Sequence, residues 1–256
     1  MSASPSAGGG VFLPPLAIFT DFDGTLVELA PTPDAIEVPP DLADEMERVA
    51  LRLDGAVAVI SGRAIDDLDR YLPRAIALAG CHGIERRRAD GSRVTPPQEH
   101  QEQARTIAAR LEAFGRGRDG VLIEAKTASV ALHYRLAPDS REICLEAMAD
   151  ALREAEGFVP LEGKMVVEAR PVGASKGEAI RAFMQEAPFK GRVPVFFGDD
   201  LTDEEGFAVA QELGGVGVKV GDGESAAHVR AQDVPTARGI IQRLAAGALM
   251  REASAQ

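Results

Sequence analysis

The chain of 256 residues is 45% hydrophobic, so it can bury a substantial core in one large domain or two modest ones. Its formal net charge of −12 argues against general binding to nucleic acid or to anionic membranes. Because no apolar run approaches the ~20 residues of a membrane span and the two cysteines lie far apart, we expect a cytoplasmic protein without membrane partners or a disulfide framework.

The first residues of the chain are small and polar, and they lack the basic region of a signal peptide. We therefore predict a disordered N-terminal tail over residues 1–14. The next stretch, Leu16–Thr20, is apolar and partly β-branched, which is typical of a strand buried on both faces of a parallel sheet.

Two aspartates follow this strand directly. Asp21 and Asp23 are two residues apart, so both carboxylates leave the chain on the same side as the strand ends. Neighbouring carboxylates repel each other unless a cation or a shared proton lies between them. We expect a divalent cation such as Mg²⁺, which prefers oxygen ligands. The alternative is that both aspartates only cap a following turn or helix.

The next part of the chain alternates between helical and strand periodicity. The predicted elements are a helix, a strand, a short helix and a strand, over residues 42–53, 56–60, 64–72 and 76–79. Such alternation predicts a doubly wound α/β sheet, whose ligands bind at the carboxyl ends of the strands. Ser61 and Arg63 follow the first of these strands, and His82 follows the second.

From about residue 85 the pattern changes to a hairpin, a polar helix through Ala113 and a small α+β block, which we place at residues 107–173. Polar side chains alternate with apolar ones along its predicted strands. The polar candidates are Glu124, Lys126, His133, Arg135, Lys164 and Glu168. An antiparallel sheet with one solvated face would explain this alternation. The mixture of donors and acceptors favours a face that binds a polyol.

The α/β rhythm resumes with a helix over residues 175–185, in which Ser175 and Glu178 form a predicted capping box. Lys176 lies in its first turn, where the helix dipole disfavours a cation, so we expect it to help the helix terminus bind an anion. A strand over residues 193–197 leads to Asp199, which repeats the geometry of Asp21. Thr202 and Glu205 predict a second capping box.

A strand over residues 215–220 and a helix over residues 235–250 complete the predicted core, which comprises residues 15–106 and 174–251. The stretches Asp21–Thr25, Ser61, Lys176 and Gly198–Asp203 resemble, in order, the four motifs of the haloacid dehalogenase-like (HAD) phosphohydrolases. The α+β block between the second and third motifs is similar to the C2-type cap of that superfamily. The resemblance spans about residues 15 to 250.

Within that superfamily, the chain resembles the trehalose-6-phosphate phosphatases. The stretches that carry this resemblance are Gly80–Gly83, 124–135, Gly163–Pro171 and 198–204. It implies a Rossmannoid core with an inserted cap, and a Mg²⁺-dependent phosphatase that hydrolyses trehalose 6-phosphate in the last step of trehalose biosynthesis. The substrate is then a small molecule, and we expect a monomer.

The resemblance also implies roles for individual residues. Asp21 would be the nucleophile that forms an aspartyl-phosphate, and Asp23 the general acid and base; Ser61 and Lys176 would hold the phosphoryl oxygens. The implied metal site comprises Asp21, the backbone carbonyl of Asp23, Asp199, Asp200 and Asp203, the last two orienting the surroundings of the ion. The implied substrate-binding residues are Gly24, Thr25, Arg63, His82, Glu124, Lys126, His133, Arg135, Lys164 and Glu168.

Other activities stay open at this stage. A related phosphatase acting on sucrose phosphate or mannosyl-phosphoglycerate would share the core motifs, and so would a phosphomutase. A non-catalytic sugar-phosphate or metal sensor would not need both a nucleophile and a general acid.

Overall fold

The structure, a computed structural model, describes residues 15–32 and 35–247. The predicted tail over residues 1–14 and the predicted helix end near Met250 lie outside these residues. The elements in chain order are β1 (Leu16–Thr20), α1 (Leu42–Arg52), β2 (Val57–Ile60), α2 (Ile65–Leu68), β3 (Ala77–Gly80), β4 (Glu85–Arg87), β5 (Arg93–Val94), α3 (Gln98–Gly115), β6 (Leu122–Ala125), β7 (Val130–His133), α4 (Arg141–Leu152), β8 (Phe158–Gly163), β9 (Val166–Pro171), α5 (Lys176–Met184), β10 (Val193–Gly198), α6 (Glu204–Glu212), β11 (Val216–Val220), β12 (Val229–Ala231) and α7 (Val234–Ala245).

The main sheet has eight strands in the order β12-β11-β10-β1-β2-β3-β4-β5. The strands from β12 to β3 are parallel, and β4 and β5 form an antiparallel hairpin at one edge. Thr20 at the end of β1 pairs with Phe197 on one side and with Val59 on the other. The residues that follow β1, β2 and β10 therefore lie at one edge of the sheet, as the doubly wound prediction requires.

The centre of the core consists of aromatic side chains between β1 and α5. The ring of Phe19 lies 5.2 Å from that of Phe189 and 6.1 Å from that of Phe183. All three are almost fully buried, and burying one such side chain stabilises a fold by about 1.5–3 kcal/mol. This cluster fixes α5 against the strand that leads to Asp21.

A second sheet of four antiparallel strands, in the order β6-β7-β9-β8, packs with α3 and α4 around a separate hydrophobic cluster. We call these elements the smaller unit. Helix α3 begins at Gln98, before the predicted boundary at residue 107, and its Ala104 packs in the cluster of the smaller unit. We therefore propose that the division between the two units lies before Gln98.

Two elements differ from what the sequence predicted. The helix predicted over residues 64–72 is shorter, because after Ile65–Leu68 the amides of Arg70 and Tyr71 bond carbonyls three residues back. Strand β12 was not predicted; with three residues, it is too short to show a periodicity. No helix in the described part of the chain is long and apolar enough to span a membrane.

Candidate active site

Asp21 lies directly after β1, and its amide donates to the carbonyl of Phe197 on β10 at 2.8 Å. Only 5% of the residue is exposed. The chain then turns at Gly24, where φ is +75° and a Cβ atom would come within 2.2 Å of the Asp199 carboxylate. Only glycine therefore allows the loop after β1 to approach the loop after β10 this closely.

Three carboxylates meet where these loops converge. Asp21, Asp199 and Asp203 each place an oxygen within 4.8 Å of the others. Burial, with Asp203 as the next largest cause, raises the pKa of Asp199 to about 7. Burial also raises the pKa of Asp21 well above its usual value, against the opposing charge of Lys176. Crowded carboxylate oxygens of this kind suit a hard divalent cation, so these residues fit the expected metal.

Lys176 supplies positive charge to this cluster from the first turn of α5. Its Nζ lies 2.9 Å from Asp21 Oδ1 and 2.6 Å from Asp203 Oδ1, and 2% of the residue is exposed. Burial alone would lower its pKa, but the carboxylates of Asp203 and Asp21 outweigh burial and raise it. The helix start is fixed by Ser175, whose hydroxyl accepts from the Glu178 amide, which is one half of the predicted capping box.

Asp23 faces a different cation. Arg63 donates from Nε to Asp23 Oδ2 at 2.7 Å and from Nη2 to Asp23 Oδ1 at 2.8 Å. The Arg63 amide in turn donates to the Ser61 hydroxyl at 3.1 Å. The loop after β2 thus brings Ser61 and Arg63 next to the two aspartates that follow β1.

The smaller unit covers this edge of the main sheet, and a cleft lies between them. The predicted site residues that line the cleft are Asp21, Asp23, Ser61, Arg63, His82, Glu124, Lys126, His133, Arg135, Lys164, Glu168, Lys176, Asp199 and Asp200. The structure therefore brings the polar residues of the predicted polyol-binding face to the same cleft as the acidic cluster.

Glu168 belongs to the smaller unit and contacts residues of both units. Its Oε2 accepts from Lys126 Nζ at 2.9 Å and faces His82 Nε2 at 3.1 Å. Burial alone would raise the pKa of Glu168, but Lys126 and His82 hold it well below its usual range. Burial lowers the pKa of His82, whose Nε2 atom lies within hydrogen-bond distance of the Glu168 carboxylate. His82 Nδ1 has no hydrogen-bond partner among the described residues.

Gly24 and Thr25 were predicted to bind substrate, but neither lines the cleft. Gly24 contacts Asp199, and Thr25 is completely buried behind the loop with its amide bonded to the Phe22 carbonyl. The structure also keeps Asp200 out of the acidic cluster. Its Oδ1 accepts from the Leu201 amide at 2.7 Å, and its Oδ2 accepts from the Lys164 amide at 3.3 Å.

The second capping box was predicted at Thr202 and Glu205, and this prediction was wrong. Asp200 and Asp203 form the box instead, around a short 3₁₀ turn at Leu201–Asp203 that precedes α6. Both the Asp199 and the Asp200 amides donate to Asp203 Oδ2 at 2.9 Å. Asp203 therefore shapes the backbone of this loop with one oxygen and contacts Lys176 with the other.

Two residues at the site were not singled out from the sequence. Lys219 on β11 donates from its ammonium group to the carbonyl of Asp199. Asp67 on α2 accepts from Arg63 Nη1 at 2.7 Å. A single lysine within an apolar strand, and the spacing of four residues between Arg63 and Asp67, were the available signals.

Comparisons with known proteins are consistent with one another. A family model described as trehalose-phosphatase matches residues 19–235. The trehalose-6-phosphate phosphatase of Escherichia coli is 46% identical over 86% of this chain and 82% of its own length. The probable trehalose-phosphate phosphatase of Sinorhizobium fredii is 42% identical over 96% of each chain.

Solved structures share the architecture. A trehalose-6-phosphate phosphatase related protein superposes with a TM-score of 0.78 at 26% identity, over 92% of this chain and 99% of its own. The sucrose-phosphatase of Synechocystis superposes with a TM-score of 0.58 over 90% of this chain and 97% of its own. At 16% identity, that second likeness supports the fold alone.

Proposed function

This chain belongs to the trehalose-phosphatase family, and from that premise we propose that it hydrolyses trehalose 6-phosphate to trehalose and inorganic phosphate with Mg²⁺ as cofactor. Its relatives are phosphoric monoester hydrolases, so the reaction type follows from the family. The observation that carries the substrate assignment is that Asp21 and Lys176 line the same cleft as Lys126 and Glu168 of the smaller unit.

Asp21 is the proposed nucleophile. One of its oxygens attacks phosphorus, the bond from phosphorus to the sugar oxygen breaks, and the electron pair of that bond stays on the sugar oxygen. Lys176 lies 2.9 Å from Asp21 Oδ1, so its ammonium group is placed to stabilise negative charge on the phosphoryl oxygens. The Ser61 hydroxyl lines the same cleft and can donate to another phosphoryl oxygen.

Asp23 completes both half-reactions in this proposal. As a carboxylic acid it gives its proton to the departing sugar oxygen, which releases trehalose. As a carboxylate it then takes a proton from the water that attacks the aspartyl-phosphate, which releases phosphate and restores Asp21. Its position beside Asp21 in the cleft supports this division of work, and Arg63 fixes the orientation of its carboxyl group.

Asp21 and Asp199, with Asp203 orienting the loop, would hold Mg²⁺, which when bound offsets the repulsion between the carboxylate nucleophile and the phosphate dianion. The backbone carbonyl of Asp23 stays the proposed further ligand. Asp203 fits its orienting role, because it bonds two amides of the loop and also contacts Lys176.

The smaller unit is the proposed cap that binds and recognises the disaccharide. Lys126 Nζ lies 2.9 Å from Glu168 Oε2, and His133 Nε2 lies 2.9 Å from Glu124 Oε2, so the cap offers donors and acceptors in close pairs, as a polyhydroxylated ligand requires. The backbone carbonyl of Lys164 accepts from Arg135 at 3.0 Å, which holds the Arg135 side chain in place.

A pair of variants tests this assignment. Asp21→Asn should abolish release of phosphate from trehalose 6-phosphate and from p-nitrophenyl phosphate, because the nucleophile is lost. Lys126→Met should impair only the disaccharide substrate, because p-nitrophenyl phosphate makes no contact that requires a cap. The exposed substitution Asp222→Asn is the matched control. Near-normal turnover by Asp21→Asn would refute the nucleophile, and equal losses on both esters in Lys126→Met would refute the cap assignment.

A further inference from the structure

Among the described residues, two carboxylates contact the guanidinium group of Arg63. Its Nε and Nη2 atoms form one edge, which contacts both oxygens of Asp23 at 2.7 and 2.8 Å. Its Nη1 atom donates to Asp67 Oδ2 at 2.7 Å. The Phe22 ring lies on another side of the group, 5.8 Å from Cζ. Arg63 itself is almost fully buried.

We propose that Asp67 is a positioning residue for the reaction, which fixes the guanidinium of Arg63 so that Arg63 aims the carboxyl group of Asp23 at the departing oxygen. A guanidinium is planar, and its two-point contact with a carboxylate requires both groups to share a plane. A second acceptor on another edge fixes that plane. Without Asp67, the contact with Asp23 stays possible, but the guanidinium loses one of the contacts that fix its orientation.

The surroundings of Asp67 favour this role over a purely structural one. Helix α2 is a single turn, and the other ion pair of Asp67, with Arg70 at 3.3 Å, involves an arginine side chain that is 67% exposed. Such an exposed pair contributes little to stability. By contrast, the nearby Asp69 pairs with the buried Arg87, which also holds the Ile76 carbonyl. The ion pair that stabilises this region is therefore the one between Asp69 and Arg87, whereas Asp67 faces the catalytic loop.

The inference rests on the proposed role of Asp23 as general acid, and that role has a specific signature. A sugar alkoxide is a poor leaving group and needs a proton as it departs, whereas p-nitrophenolate departs without one. A misplaced general acid therefore slows the departure of the sugar from the sugar phosphate much more than the departure of the phenolate from the aryl phosphate. A merely structural defect lowers both rates together.

The experiment compares kcat/KM for trehalose 6-phosphate and for p-nitrophenyl phosphate in Asp67→Ala, Asp67→Asn and Arg63→Lys, because kcat/KM reports the step in which the sugar or the phenol departs. We expect Asp67→Ala and Arg63→Lys to lower kcat/KM for the sugar phosphate by about 10- to 100-fold. In Asp67→Ala, kcat/KM for the aryl phosphate should change less than about twofold, since Asp67 does not line the cleft. Asp67→Asn keeps an acceptor oxygen and should recover part of the loss. Asp66→Asn, next to Asp67 and with a side chain 84% exposed, is the matched control.

A further variant separates this inference from the proposed function. In kcat/KM, Asp23→Ala should show the same leaving-group selectivity, only larger, if Asp23 is the general acid. Equal losses of kcat/KM on both esters in Asp23→Ala would refute the general acid and, with it, the premise of the inference. If Asp23→Ala is selective while Asp67→Ala leaves both rates unchanged, or lowers both equally, then the positioning role of Asp67 is refuted alone.

Discussion

Replacing Asp199 by Asn should stabilise the metal-free protein at alkaline pH. Burial and the charge of Asp203 raise the pKa of Asp199 from its usual 3.8 to about 7. The folded state thus holds a proton that the unfolded chain releases. A carboxyl with a raised pKa contributes stability that is full below about pH 4 and is lost as the pH rises through about 7. Asparagine has nearly the same shape but carries no charge at any pH.

The size of this effect follows from the pKa values. The gap between 3.8 and about 7, at about 1.4 kcal/mol per pH unit, corresponds to about 4 kcal/mol. Asp199 retains some solvent contact, which screens its charge, so we expect about 1–3 kcal/mol. For a chain of this length, that change corresponds to ~2–12 °C in melting temperature.

Thermal unfolding in EDTA measures the effect. At pH 8 Asp199→Asn should melt above the native protein, and the difference should shrink toward zero as the pH approaches 4. Added Mg²⁺ should raise the melting temperature of the native protein more than that of the variant, which has lost a ligand. Asp222→Asn, at an exposed position, should follow the native protein throughout. A variant that melts below the native protein in EDTA at pH 8 would refute the electrostatic argument.

Three further predictions concern the cleft and the core. Lys176→Met should lower kcat by about 10²–10³-fold, because a preorganised donor to the phosphoryl oxygens is lost. A kcat equal to that of the native protein would contradict this role of Lys176. Glu168→Gln should raise KM for trehalose 6-phosphate about tenfold or more, since a hydrogen bond to a charged group contributes about 1.5–3 kcal/mol; an equal effect on p-nitrophenyl phosphate would count against it. Phe183→Ala should lower the free energy of unfolding by about 3–5 kcal/mol and the melting temperature, measured by calorimetry, by ~6–20 °C. An unchanged melting temperature would contradict the stabilising role of the aromatic cluster.

The sheet and its acidic edge could be predicted because their signals are local. Apolar runs define β1 and β10, and the residues that follow them, Asp21 and Asp199, must lie at the same edge when the strands are parallel neighbours. The same reasoning placed Ser61 at the end of β2. Lys176 could be predicted from its unfavourable position in the helix dipole, and the structure shows the carboxylates that compensate it.

Contacts between distant segments could not be predicted in this way. The pairing of Asp23 with Arg63 joins residues 40 positions apart, and that of His82 with Glu168 joins residues 86 apart. Sequence periodicity predicts which side chains share one face of a strand, but it does not predict which residues of another unit that face will contact. The burial of Thr25 behind its loop depends in the same way on the packing of the whole sheet.

The most direct test of the account is phosphate release by the native protein from a panel of esters with Mg²⁺. The panel comprises trehalose 6-phosphate, sucrose 6-phosphate, glucose 6-phosphate and p-nitrophenyl phosphate. We predict that kcat/KM for trehalose 6-phosphate exceeds the others by about 10²-fold or more, because the cap residues bind the whole disaccharide, and that EDTA removes the activity. Equal kcat/KM values for all four esters, or a preference for sucrose 6-phosphate, would contradict the proposed substrate.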